Sequence, residues 1–160
     1  MKLSLDTFPT HLRQARLAPA YLLSGDEDLL VAEAADALRA AARQAGYTER
    51  EVHFPERVAD WGDIAAGAGS MSLFGDRKIL EVRFSGKAGK EGGSVLQRLI
   101  DMAGEDTLLL VITPRLDTAT QSTAWVKAIE SRGAWLPIWE ITPRQLEPWL
   151  SARARQAIRL

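Results

Sequence analysis

The sequence predicts an α/β fold, a three-layer, mostly parallel sheet with flanking helices, and three observations carry the prediction. From Ala20 to Glu140, apolar strand-like runs alternate with segments whose apolar residues recur at helical spacing. Leu108-Leu109-Leu110-Val111-Ile112 is apolar without a break, as a strand covered on both faces of a parallel sheet is. The first strand passes into its helix through a tight turn, Ser24-Gly25-Asp26-Glu27-Asp28, which is how a strand–turn–helix unit of such a sheet begins.

In order, Leu5, Phe8, Leu12 and Ala15 stand at helical spacing, with Pro9 suited to a first turn, so a short N-terminal helix capped by Thr7 is expected. Ala20-Tyr21-Leu22-Leu23 is a buried strand. The helix after it carries Leu30, Ala34, Leu38, Ala41 and Ala45 on one stripe and ends at Gly46. Glu51-Val52-His53-Phe54-Pro55 reads as the second strand, and Trp61, Ile64 and Ala65 mark a short amphipathic helix. The third strand covers residues 78–84. A Gly- and Lys-rich loop, 85–93, leads to a helix with Val95, Leu96, Leu99, Ile100 and Ala103 inward. A helix over 120–132 buries Trp125, Ala128 and Ile129 and feeds a last strand over 134–140. Thr142-Pro143-Arg144-Gln145 is a helix start, and Trp149, Leu150, Ala154 and Ala157 share a face that the sheet has no need of. Two units follow: a sheet domain over 1–141, and the first helix of a truncated second domain over 142–160.

Composition limits the functions available. The chain has 160 residues, a formal net charge of -1, 46% hydrophobic and 26% charged residues, which is an ordinary globular balance without a basic field for nucleic acid. It has no cysteine, so it has no disulfide or thiolate metal site, in keeping with a reducing cytoplasm. Its two histidines, His11 and His53, lack metal-ligand spacing. No apolar h-region opens the chain and no apolar run approaches membrane-spanning length.

A phosphate-binding turn needs GxxxxGK[ST]: glycines so that backbone N–H groups surround the phosphates, a lysine, and a hydroxyl for magnesium. The turn here holds Asp26, Glu27 and Asp28 and no lysine, and would repel a polyphosphate. Those carboxylates suit the first turn of a helix and need no catalytic role. The apolar strand ends in Thr113-Pro114, where an acidic metal partner would be required. Gly86-Lys87-Ala88-Gly89-Lys90 lacks the upstream glycine and the following hydroxyl, and reads as a solvated loop. Arg153, Arg155 and Arg159 on the last helix read as a solvated face.

The remaining anomaly is Gly67-Ala68-Gly69-Ser70-Met71-Ser72-Leu73-Phe74-Gly75-Asp76, which sets three large apolar side chains among glycines and small residues. Either Leu73 and Phe74 fold back over the core, or they project as an anchor for a partner's pocket, the way interfaces concentrate their energy.

Three segments, Tyr21-Leu22-Leu23-Ser24-Gly25-Asp26-Glu27, Ser70-Met71-Ser72-Leu73-Phe74, and residues 142–155 with Trp149-Leu150 and Ala152-Arg153-Ala154, together resemble the delta subunit of the bacterial DNA polymerase III clamp loader. The resemblance implies a degenerate AAA+ module with a P-loop NTPase-like fold and no ATP site or other cofactor, followed by the start of a lid domain. It implies a non-catalytic subunit of a DNA-directed DNA polymerase holoenzyme, acting in the bacterial cytoplasm at the nucleoid-associated replisome. Its partners would be the sliding clamp (beta ring) and other clamp-loader subunits, with DNA reached only through the complex and no membrane. By position, Leu73 and Phe74 would be the plug that enters the clamp and opens one ring interface, and Met71 a neighbouring wedge. Ser70 stands where clamp-binding peptides favour Gln. The alternative from another class is an active nucleoside triphosphatase of the same fold, and the acidic turn separates the two.

Overall fold

The computed structural model describes residues 1–14, 16–67, 77–104 and 106–139. Five strands, β1 (Ala20–Ser24), β2 (Tyr47–His53), β3 (Arg77–Arg83), β4 (Thr107–Thr113) and β5 (Ala134–Pro137), form one parallel sheet in the order β2-β3-β4-β1-β5. Side chains alternate across a strand, so the unbroken apolar run of β4 divides between two cores. Leu108, Leu110 and Ile112 join Tyr21, Leu23, Leu30, Val31 and Leu38 on one face, under α1 (Phe8–Leu12) and α2 (Asp28–Gln44). Leu109 and Val111 join Leu22, Trp61, Leu96, Ile100, Val126 and Ile129 on the other, under α3 (Val58–Gly67), α4 (Gly89–Met102) and α6 (Ala124–Arg132). The three-layer α/β architecture expected from the sequence is the one observed.

Several local expectations are corrected by packing. Thr7 is the N-cap of α1 as expected but makes no side-chain cap bond; Ser4 and Thr7 instead bond reciprocally just ahead of the helix, Thr7 N–H to Ser4 Oγ (3.3 Å) and Ser4 N–H to Thr7 Oγ1 (3.0 Å). On α2, Leu30, Ala34 and Leu38 are buried as expected and Val31, Ala35 and Ala42 join them, while Ala41 is half-buried and Ala45 exposed. The second strand begins at Tyr47 rather than Glu51, and Phe54 lies beyond it, exposed. The expected loop over 85–93 is partly helix: α4 starts at Gly89, and Gly92 belongs there because a Cβ would stand 2.7 Å from the Trp61 ring. The expected helix over 120–132 is two helices, since Asp117 caps a short α5 (Thr118–Gln121) by accepting the Thr120 N–H (2.7 Å), and α6 restarts after Thr123 with Trp125, Val126 and Ile129 buried and Ala128 half-buried against the same core. The last strand ends at Pro137. Beside β5, Trp135 N–H donates to Met1 O and Leu3 N–H to Trp135 O, each 2.8 Å, so residues 1–3 line that edge.

A polar cluster is enclosed in the first core. The Tyr21 hydroxyl accepts the Ala18 N–H (3.0 Å) and lies 2.7 Å from His11 Nε2, both rings being buried. The bond joins the two rings whichever of them carries the shared hydrogen. Burial lowers the His11 pKa below 6.5 and pushes the Tyr21 phenol up to about 12, against the Ala18 bond and with a smaller contribution from Tyr47. The unfolded chain therefore binds a proton at His11 before the folded chain does, and stability is expected to decline as pH falls below 6.5. At the alkaline end the folded chain keeps the Tyr21 proton longer, so stability is expected to decline again as pH rises from 10 towards about 12. Urea midpoints measured against pH check this, with His11→Gln expected to remove most of the slope just below neutrality.

Candidate functional site

In an open α/β sheet, ligands bind outside the carboxyl ends of the strands at the point where successive connections leave to opposite faces. Here that point lies between neighbours β1 and β4. The connection from β1 enters α2 on one face, and that from β4 enters α5 and α6 on the other. The chain laces this position shut. Gly25 N–H donates to Thr113 O (3.1 Å), Arg115 N–H to Asp26 Oδ1 (3.0 Å), and Ile138 N–H to Ser24 O (2.6 Å). Trp135 Nε1 donates to Ser24 Oγ (2.9 Å) in a buried bond. Gly25 is required by closeness, because a Cβ there would meet the Ile138 carbonyl at 2.6 Å. The Arg115 guanidinium stands 5.2 Å over the Trp139 ring, and Ser24, Arg115, Leu116, Trp135 and Trp139 line a pocket of about 10 Å³, room for roughly one water.

The acidic turn is thus part of the framework. Asp26 holds the β4–α5 connection, and Asp28 lies in the first turn of α2, where a negative charge is favoured. Lys87, the candidate lysine of the glycine-rich stretch, pairs with Asp117 (3.1 Å), and Gly89 and Lys90 belong to α4. Hydrogen bonds from Thr120 and then Lys87 pull the Asp117 pKa down to about 2. Among the described residues, no three His, Cys, Asp or Glu side chains gather as a metal site, and no helix is long and apolar enough to cross a membrane.

The candidate anchor residues Ser70, Met71, Leu73 and Phe74 lie outside the described residues, as does the segment over 142–160. The flanks of the anchor stretch are described. Since α3 connects two parallel neighbours, it runs back against the strands, and both Gly67 and Arg77 stand at the amino-terminal edge of the sheet, the end away from the closed crevice. Trp61 and Ile64 fix α3 in the second core, with Trp61 edge-on to Phe84 (5.2 Å) and Phe84 edge-on to Trp125 (6.2 Å). On the other flank the Arg77 guanidinium binds Ala45 O and the Tyr47 hydroxyl.

Two charged groups on β3 were not singled out from the sequence. One is Arg77. The other is Glu81, a fully buried carboxylate on β3 that accepts from Arg39 on α2 and Arg50 on β2. The only signal for it is a carboxylate inside the apolar run Ile79-Leu80-Glu81-Val82.

A family model described as DNA polymerase III, delta subunit, matches residues 21–138. The chain is 30% identical over 155 residues to DNA polymerase III subunit delta of Escherichia coli (strain K12), covering 93% of this chain and 45% of that protein. It is 28% identical over 115 residues to the protein of the same name from Haemophilus influenzae, covering 72% and 33%. The chain therefore spans less than half the length of these relatives. Among solved structures, a DNA clamp loader delta protein of Bacillus subtilis superposes with a TM-score of 0.69 over 95% of this chain and 47% of that one, at 17% identity, a likeness of fold.

Proposed function

The chain belongs to the DNA polymerase III delta subunit family, and from that premise we propose that it is the part of a clamp-loader subunit that grips the sliding clamp. Leu73 and Phe74 form the plug, Met71 a wedge beside them, and Ser70 heads the motif. The observation that carries this reading is the coincidence of an apolar pair in a Gly- and Ser-rich connection with a family match that runs through it. Burying a Leu and a Phe side chain is worth about 1.5–3 kcal/mol each, or about 3–6 kcal/mol together, before association costs. Further contacts from the same edge must add to it. Ring opening is then a population shift: the plug stabilises a clamp conformation with one interface parted, and no chemistry is asked of this subunit. Other loader subunits would supply ATP-driven exposure of the plug, DNA would be met only through the complex, and residues 142–160 would begin the lid domain. The working place is the bacterial cytoplasm, at the replisome.

Titration calorimetry of the chain against the purified clamp ring tests the reading directly; heat of binding supports it, and its absence at high micromolar concentrations would sink it. The lacing of β1 to β4 and β5 supports an accessory role without nucleotide chemistry, because Gly25 N–H and the Ser24 and Asp26 oxygens are already engaged within the chain. Calorimetry with ATP and magnesium is expected to show no binding. Micromolar affinity would restore the active nucleoside triphosphatase.

A further inference from the structure

β5 is short and carries no charge: Ala134, Trp135, Leu136 and Pro137. Trp135 turns its N–H and its carbonyl away from β1, and by the alternation of a strand those of Ala134 and Leu136 turn towards β1. Pro137 has no N–H to give. Residues 1–3 meet the outward side. Trp135 N–H donates to Met1 O and Leu3 N–H to Trp135 O, each 2.8 Å, and Met1 N donates to Gly133 O (3.0 Å). Lys2 Nζ lies 4.9 Å over the Trp135 ring, and the buried Leu3 belongs to the first core with Phe8 and Leu136.

Without these residues the outward side of β5 is complementary to itself. A residue with N–H and carbonyl on the same side can face its own copy across an antiparallel pair and exchange both bonds with it. Two β5 strands meeting about Trp135 do this under a twofold axis, the commonest symmetry of a homodimer. No charge on β5 opposes the meeting, and native proteins ordinarily cover an apolar edge strand. Gly133 then stands opposite Pro137, which gives no N–H, so the pairing is short and the dimer weak. Residues 1–3 satisfy the same two Trp135 groups from within the chain. A tethered segment acts at an effective concentration of about millimolar, so it displaces a second copy present at micromolar concentration.

We propose that residues 1–3 are a built-in cover strand that keeps β5 from pairing with β5 of a second copy of the chain. The covered and paired states differ in what satisfies the Trp135 N–H and carbonyl: the chain's own first residues, or another Trp135. Burial of Leu3 ties the cover to the first core, so withdrawing it costs a packing contact as well as the bonds, and the intact chain stays covered.

The test compares the full chain with one lacking residues 1–3, by sedimentation from micromolar to millimolar concentration and by amide exchange at Trp135. The full chain is expected to sediment as a monomer throughout, with a protected Trp135 amide. The shortened chain should be a monomer when dilute, its Trp135 amide exchanging about tenfold faster or more, and a dimer when concentrated, with that amide protected again. A folded shortened chain that stays monomeric at millimolar concentration overturns the proposal. So does a dimer whose Trp135 amide still exchanges fast, because the copies then meet elsewhere. A full chain that dimerises as readily as the shortened one shows that residues 1–3 cover nothing. Deletion also takes Leu3 from the first core. If the shortened chain does not fold, Leu3→Pro, which keeps an apolar side chain and removes the N–H given to Trp135 O, carries the same comparison. If neither folds, residues 1–3 serve folding alone and the covering role falls.

Discussion

Replacing Leu73 and Phe74 together by alanine is expected to weaken clamp binding by several kcal/mol while leaving the urea midpoint of the chain nearly where it was. The two sequence-level readings of these residues differ most here. If the pair is a surface anchor, substitutions away from the core stay within about 0.5 kcal/mol of wild-type stability. If the pair folds back over the core, typical Leu→Ala and Phe→Ala losses sum to roughly 4–8 kcal/mol, enough to unfold a domain of ordinary stability. One variant gives both numbers, a midpoint and a dissociation constant. A collapsed midpoint would end the anchor reading whatever the binding data showed. Because the contact is apolar, binding of the wild-type chain should also persist as salt is raised.

A large stability effect is expected at Glu81. Its side chain has no solvent exposure and accepts from Arg39 through Nε and Nη2 (2.9 Å) and from Arg50 through Nε (2.8 Å) and Nη2 (3.3 Å), while Asp36 holds Arg39 from the other side (2.9 Å). Removing one partner of a buried ion pair leaves an uncompensated charge and costs about 3–5 kcal/mol. Glu81→Ala should fall towards the lower end, because the Arg50 side chain is 47% exposed and can turn to water, whereas Arg39, at 14%, cannot. Burial by itself would raise the Glu81 pKa; the hydrogen bonds from Arg39 and Arg50 outweigh it and hold the carboxyl below 4.5. The folded state thus stays ionised to lower pH than the unfolded chain. The stabilisation is present above pH 4.5 and is lost as pH falls through the depressed folded value. Urea midpoints between pH 3 and 7 check this: Glu81→Gln should lower the neutral-pH midpoint and flatten its acid dependence, and a wild-type midpoint in Glu81→Ala would show that the triad contributes nothing.

The parts of the fold legible in the sequence are those whose environment matches their own chemistry. β1 and β4 are covered on both faces, so their apolar runs mark them without reference to anything else. β2 runs along an outer edge, and Tyr47-Thr48-Glu49-Arg50 carries a turn-like polarity that hides four residues of strand. The start of α4 was hidden for the opposite reason: glycines ordinarily break a helix, and only the Trp61 ring, far away in sequence, explains Gly92. The candidate site divides along the same line. Ser70 to Phe74 stand out because large apolar residues among glycines are anomalous locally. Arg77 and Glu81 look ordinary, since their roles come from partners 32 and 42 positions away, Ala45 and Arg39.

The two borders of the sheet are finished differently, and this bears on whether copies of the chain can stack into a continuous ribbon. The β5 border is occupied by residues 1–3, whose backbone already takes the Trp135 N–H and carbonyl. Among the described residues, no strand pairs with β2 on its outer side. A strand border of this kind invites a second copy, yet the residues described there resist it. Two β2 strands meeting antiparallel about Arg50 would set Arg50 against Arg50 and Glu49 against Glu51, and an in-register parallel meeting would set each charge against its own kind. Like charges directly opposite are repulsive, and charged side chains are a common guard on such a border. Among the described residues, this side of the sheet thus carries its own guard against serving as a template for fibre growth.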